Sequence, residues 1–266
     1  MKTEKIFIIC RKELLGFSRD RRTLRAMMIF PIVFVPGLVY MFSIENRDPK
    51  VAPMVVSSLF QCIPVFFLSL ISYIAFDITA GEKERGTMET TLSLFATRKE
   101  LILGKYFAVA FANLIIGIIV SFLVAIAFLS AKLMSSNGIT ECFSSFDAKP
   151  LICYIVTVLC FAVFYPALLI LIGIFARSTK EAFGYLSPII MLTILTILAP
   201  LYGVSLTLLT VLIPGLNCFL ITRQYLNYSV DWIYWIVAFC AALVYGFACL
   251  KTAMFLIERD TVLNRI

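Results

Sequence analysis

The run Gly81-Glu82-Lys83-Glu84-Arg85-Gly86-Thr87 places two glycines at the separation seen in phosphate-binding loops. Such a loop needs a lysine after its second glycine to reach the terminal phosphates of a nucleotide, and Thr87 stands there instead. No other stretch offers the pattern, so ATP and Mg are expected on another chain, with no cofactor held by this one. What the run can do is shape a surface. Gly86 breaks the backbone, Thr87 can cap a short helix, and Met88, Leu92 and Phe95 then recur at i, i+4 and i+7. That spacing predicts a small amphipathic helix with an apolar stripe and a charged face, the form of a docking element. The plainer reading of the same residues is a solvated charged loop.

Other chemistry is sparse. There is no histidine, which removes the commonest general base and metal ligand. Five of the eight cysteines (Cys62, Cys153, Cys160, Cys240, Cys249) fall in apolar runs, and none forms a CxxC pair, so they are read as packing residues. Inside the apolar stretches the polar candidates for a substrate pathway are Gln61, Ser69, Asn113 and Ser121. The plainer role for such groups is helix-to-helix hydrogen bonding, worth about 0.6 kcal/mol on average. The one carboxylate within a span is Asp77, at the end of the second, where Lys83 or Arg85 can pair with it. No ionisable group sits centrally, which argues against an ion-coupled secondary transporter or channel, the alternative class. A lipid-modifying enzyme would need interfacial His, Cys or paired carboxylates.

These residues require a membrane scaffold. The 266-residue chain is 61% hydrophobic, and its charged residues, 15% of the total, gather between long uncharged stretches. Crossing a hydrocarbon core takes about 20 apolar residues, and six stretches suffice: about 24–42, 54–78, 106–129, 150–175, 183–201 and 232–256. Pro31 and Pro36 lie in the first and Pro64 in the second. Residues 1–23 form a separate unit. Phe7, Cys10, Leu14 and Phe17 recur at helical spacing opposite Lys5, Lys12, Arg19 and Asp20, so this amphipathic helix is expected in the cytosolic interface. No cleavable signal peptide is expected; the first span serves as an uncleaved anchor. Residues 24–266 then make a single transmembrane domain.

Residues 203–221 are apolar enough to span, but Pro214-Gly215 and Asn217 interrupt them. A re-entrant pair of short helices leaves six spans; a full crossing makes seven. With six, 18 of the 23 Lys and Arg fall on segments 1–25, 79–105, 176–182 and 251–266, against 5 elsewhere. The positive-inside bias therefore puts these segments, the amino terminus included, in the cytosol. That distribution also accounts for the net charge of +7 without nucleic acid. Six is the count adopted, giving an all-α, multi-pass protein of the cell membrane. Trp232, Tyr234 and Trp235 are expected as an aromatic belt at the outer end of the last span.

The run Glu82, Glu84, Gly86, Thr87, Glu89 and Leu92, with Gly104-Lys105 opening the next span, resembles the signature of type-2 ABC transporter permeases. Phe95-Ala96-Thr97-Arg98 stands where that family often has a proline. Lys12-Glu13-Leu14-Leu15, Arg19 to Thr23 and Pro31 are similar to the opening of sodium-extrusion (Nat-type) permeases, although only residues 43–53 stand where those carry a large external domain. The resemblance implies an exporter subunit that forms the translocation pathway as a homodimer or heterodimer and binds a cytosolic ABC ATPase. It implies that Glu82, Glu84, Arg85, Gly86, Thr87, Met88, Glu89, Leu92 and Phe95 form the coupling helix. Arg177, Lys180 and Glu181 would make a second contact. Short outer connectors imply substrate entry from the cytosol or inner leaflet, the substrate being an ion, drug, peptide or lipid.

Overall fold

The computed structural model describes residues 3–20, 25, 68–88, 97–134, 148–198, 206–213, 216–217, 220–221 and 231–258, and every regular element among them is an α-helix. These are α1 (Thr3–Arg19), α2 (residues 68–77), α3 (Ala80–Glu84), α4 (Arg98–Met134), α5 (Ala148–Phe175), α6 (Thr179–Leu198), α7 (Leu208–Val211) and α8 (Trp232–Glu258). The first expected span, the connector 43–53, the start of the second span and the segment 259–266 lie outside the described residues.

Among the described residues two stretches are long and apolar enough to cross a membrane, Arg98–Ile119 within α4 and all of α8; Leu159–Phe175 of α5 is a shorter apolar run. The expected spans three and five begin inside longer helices, because Arg98 and Thr179 start α4 and α6 about a turn or two earlier. Along α4, Phe107, Phe111, Ile115, Ile118 and Phe122 all remain exposed at helical spacing. A continuous apolar stripe facing outward suits hydrocarbon rather than water. On the opposite side, α2, α4, α5 and α6 bury Ile71, Phe76, Val109, Leu169, Ile170 and Leu186 in one core.

The helix ends fix the chain path. Residues 98–105 of α4 meet α1, the end of α2 and the end of α8, so α4 leaves this cluster of ends and α5 returns to it. Asn113 of α4 donates to the Phe161 carbonyl of α5 at 3.3 Å, and Tyr106 donates to the Val163 carbonyl at 3.2 Å. The corner 176–178 turns α5 into α6 beside α3. Finally α8 packs along α5, where Gly246 lies close to Val163, and ends against Arg98.

At the other end of the bundle, Val211, Ile221, Trp235 and Ala238 bury together, with Leu206 and Tyr234 against them. Trp235 is thus a core residue there, not a member of an exposed belt; Trp232 is exposed. A straight helix over 203–221 would be about 28 Å long, yet Leu206 and Ile221 reach the same small cluster.

Basic side chains take up the carbonyls at three helix ends. Lys105 caps α2 through Ile78, Lys83 caps α5 through Ile174 and Ala176, and Arg98 caps α8 through Ile257 and Glu258. Each relieves carbonyls that have no partner within their own helix and meets the negative end of a helix dipole. Arg98 does so at 2.9 and 3.1 Å, while Lys99 pairs with Glu258 at 3.1 Å. Arg98→Ala should therefore cost about 1 kcal/mol and loosen the end of α8. Faster carboxypeptidase trimming of the detergent-purified variant would register it; unchanged trimming would mean that packing alone holds α8.

Candidate functional site

The sequence run that carried the docking expectation lies where several helices end or begin, and each of its charges goes to a different element. Helix α3 starts at Ala80, before Glu82, and ends at Glu84. Arg85 and Gly86 then turn the chain, Gly86 at φ 68°, and helix resumes at Thr87. The break expected at Gly86 is present, and a side chain there would meet the left-handed backbone penalty of about 1–2 kcal/mol. Gly86→Ala should lower stability by that amount and Gly86→Asn by less, as thermal unfolding in detergent would report. Thr87 lies in the helix that resumes there. Its hydroxyl donates back to the Glu82 carbonyl at 3.3 Å.

Glu82 points inward and is 7% exposed. Lys105 of α4, 2% exposed, approaches its Oε2 at 2.7 Å, as an ion pair rather than a directional hydrogen bond. Lys12 of α1 lies 3.7 Å from Oε1, and Glu13 of α1 sits 3.9 Å from Lys105 and 3.2 Å from Lys12. Two carboxylates and two ammonium groups thus form one knot joining α1, α3 and α4. Gly104 explains how α1 comes so near: a Cβ there would lie 2.6 Å from Ile9 Cγ2 and 3.2 Å from the Ile6 carbonyl. The face of α1 turned to α4 carries Ile6, Ile9, Cys10, Glu13, Leu14 and Phe17, all at least half-buried. Phe7, expected on that face, is exposed together with Ile8 and Leu15. Cys10, Leu14 and Phe17 of the expected stripe are on the packed face, which takes in Glu13 and leaves Phe7 out.

Lys83 and Glu84 grip the corner between α5 and α6. The Lys83 ammonium donates to the carbonyls of Ile174 and Ala176, the latter at 3.2 Å. Burial lowers its pKa to about 8, with Glu181 partly opposing the shift. An unfolded lysine holds its proton to about 10.4, so between these values the unfolded chain binds more protons. Raising the pH through that window therefore stabilises the fold. The difference in melting temperature between wild type and Lys83→Met should change accordingly from pH 8 to 10; a constant difference would contradict the assignment.

Glu84 accepts from the backbone N–H and the hydroxyl of Thr179 at 3.2 and 3.0 Å, capping α6. Those two bonds, the backbone one first, hold its carboxyl below the usual range. Glu181 is held low in the same way, by Tyr185 Oη–H at 2.6 Å and the Arg177 N–H at 2.7 Å. Arg85 turns back to Asp77 at 2.9 Å, the pairing that its spacing allowed.

Among the expected coupling residues, Glu84, Arg85, Gly86 and Thr87 are exposed and stand beside exposed Arg177 and Lys180 and half-buried Glu181, whereas Glu82 and Met88 are buried. Glu89, Leu92 and Phe95 lie outside the described residues. Of the pathway candidates, Asn113 is 2% exposed and spends its amide on α5, so it serves helix packing. Ser69 is half-buried and its carbonyl accepts from Ser72 at 2.6 Å. Ser121 lies in α4, and Gln61 is outside the described residues. Glu13, Lys83, Thr179 and Gly173 were not among the expected residues. Only Glu13 carried a local sign, a carboxylate on an apolar helix face.

The model of the ABC-2 family transporter proteins matches residues 7–243, from α1 into α8. The chain belongs to this family. No curated protein matches it. As an ABC-2 protein it is a membrane-embedded ABC transporter permease, and the family implies an ABC ATPase as partner. The ABC-2 match takes in the knot, the corner and the far-end cluster alike.

Proposed function

We propose that this ABC-2 permease is the membrane subunit of an exporter in the cell membrane. It forms the pathway with a second permease chain, identical or homologous, and is driven by separate ATPase subunits that bind ATP and Mg. The single observation that carries the reading is the convergence on residues 82–85 of the middle of α1 and the ends of α2, α4, α5 and α6. A partner pressing on the exposed residues 84–87 and on the exposed Arg177 and Lys180 acts on all those helices together. The coupling helix would continue through Glu89, Leu92 and Phe95.

Topology supports the same reading. The amino-terminal helix and the end of α8 both meet the start of α4, which favours an even number of crossings with both on the cytosolic side. The meeting of Leu206 and Ile221 with Trp235 favours a re-entrant segment over a seventh span. The outer connectors leave little room for substrate capture, so an ion, drug, peptide or lipid would enter from the cytosol or inner leaflet.

The test is co-purification. The permease, expressed with an ATPase encoded beside it, should bring that subunit down and change its ATP hydrolysis in lipid nanodiscs. Failure to recruit the ATPase, with transport persisting without ATP, would return the chain to the secondary transporters.

A further inference from the structure

Two corners of the chain, residues 80–88 and 176–182, are joined directly by side chains of the first. Lys83 holds two carbonyls of the α5 end, and Glu84 holds two donors of the α6 start. Just before them Thr79, 1% exposed, lies so close to Gly173 that a Cβ on the glycine would overlap its side chain. Phe76 stacks edge-on against Phe183 with ring centroids 5.0 Å apart, and Tyr73 against the same ring at 4.9 Å. Adjacent residues of opposite charge thus bind the opposite ends of two consecutive helices, Lys83 the carbonyl end of one and Glu84 the N–H end of the next. This is the arrangement the two helix dipoles favour.

We infer that the two corners form one rigid body, with Lys83 and Glu84 as a two-point clamp held by Thr179 and the α5 carbonyls. Under the coupling reading, on which this inference rests, an ATPase touching either corner moves α5 and α6 as a unit. The α5–α6 turn does not act as a hinge. Lys83 and Thr179 are then positioning residues: they set where the corner stands and need not touch the ATPase.

The experiment places nitroxide labels at Thr87→Cys and Lys180→Cys in the full chain, with the eight native cysteines replaced, and measures their separation by pulsed electron resonance in nanodiscs. A single narrow distance is expected, identical without nucleotide and with ATP and vanadate on the co-purified ATPase. Thr179→Val combined with Lys83→Met should broaden it, and Lys83→Arg with Thr179→Ser should restore the narrow form. A wild-type distance that shifts between nucleotide states overturns the inference, as does a clamp variant whose distribution stays as narrow as wild type. The variant comparison needs no ATPase, so it decides the inference even where co-purification fails and the coupling reading falls.

Discussion

Lys105→Met should be among the most damaging single changes in the described part of the chain, lowering stability by roughly 3–5 kcal/mol. The lysine is 2% exposed, lies 2.7 Å from Glu82 and 3.9 Å from Glu13, and donates to the Ile78 carbonyl. Removing it strands two carboxylates, Glu82 at 7% and Glu13 at 9% exposure, with Lys12 the one other cation paired with them among the described residues. It also uncaps α2. Unpaired buried charge is costly, whereas deleting both partners of a pair often is not. The double variant Lys105→Met with Glu82→Gln should therefore recover a substantial part of the loss. Thermal unfolding in detergent, followed by size-exclusion fluorescence, measures both. A single variant as stable as wild type would mean that water reaches the knot and screens it.

Gly173→Ala should also destabilise the protein, though less, by steric overlap instead of charge. A Cβ at this position falls 2.9 Å from Thr79 Cβ and closer still to Thr79 Oγ1. Thr79 has little freedom to yield, because its hydroxyl donates to the Ala75 carbonyl at 2.5 Å and its neighbours are core residues. The helix α5 must then move off the turn between α2 and α3, at the cost of about 1–3 kcal/mol usual for overpacking. Adding Thr79→Ala removes the nearest atom and should restore part of the loss. Gly184 is the control: no atom lies within 4 Å of a Cβ there, so Gly184→Ala should be neutral or gain up to about 1 kcal/mol from helix propensity. Equal losses at Gly173 and Gly184 would point to a general intolerance of α5 and α6, not to this contact.

Much of the fold is legible in the residues because membrane helices announce themselves by length and apolarity, as α4, α5 and α8 do. The break at Gly86 and the Asp77–Arg85 pair are equally local, fixed by one glycine and by charges eight residues apart. What local reading misses is where charge goes once helices pack. Glu82 looks like part of a solvated docking face and is instead buried against Lys105, 23 positions along the chain. Lys83 is legible only as a possible partner of Asp77; its role depends on the carbonyls of Ile174 and Ala176, which become available only because α5 ends beside it. Gly104 and Lys105 could be recognised as a pattern, but their separate tasks, admitting α1 and tying it down, emerge only with α1 in place. The hydrophobic rhythm of α1 picks out Cys10, Leu14 and Phe17 on the packed face, but it gives no place to Glu13, which is buried there, and it puts Phe7 there, which is exposed.

Helix α4 runs 37 residues without interruption, about 55 Å at the usual rise, where the hydrocarbon core needs only about 30 Å. Its first two turns are anchored among the knot of α1, α2 and α3, so most of the surplus extends toward the opposite face of the bilayer. A rod held at one end amplifies small rotations: a tilt of about 10° at the anchored end displaces the other by about 10 Å. Movement of the size expected from a shift in side-chain packing at the anchored end thus becomes, at the far end of the rod, a displacement as wide as a small molecule.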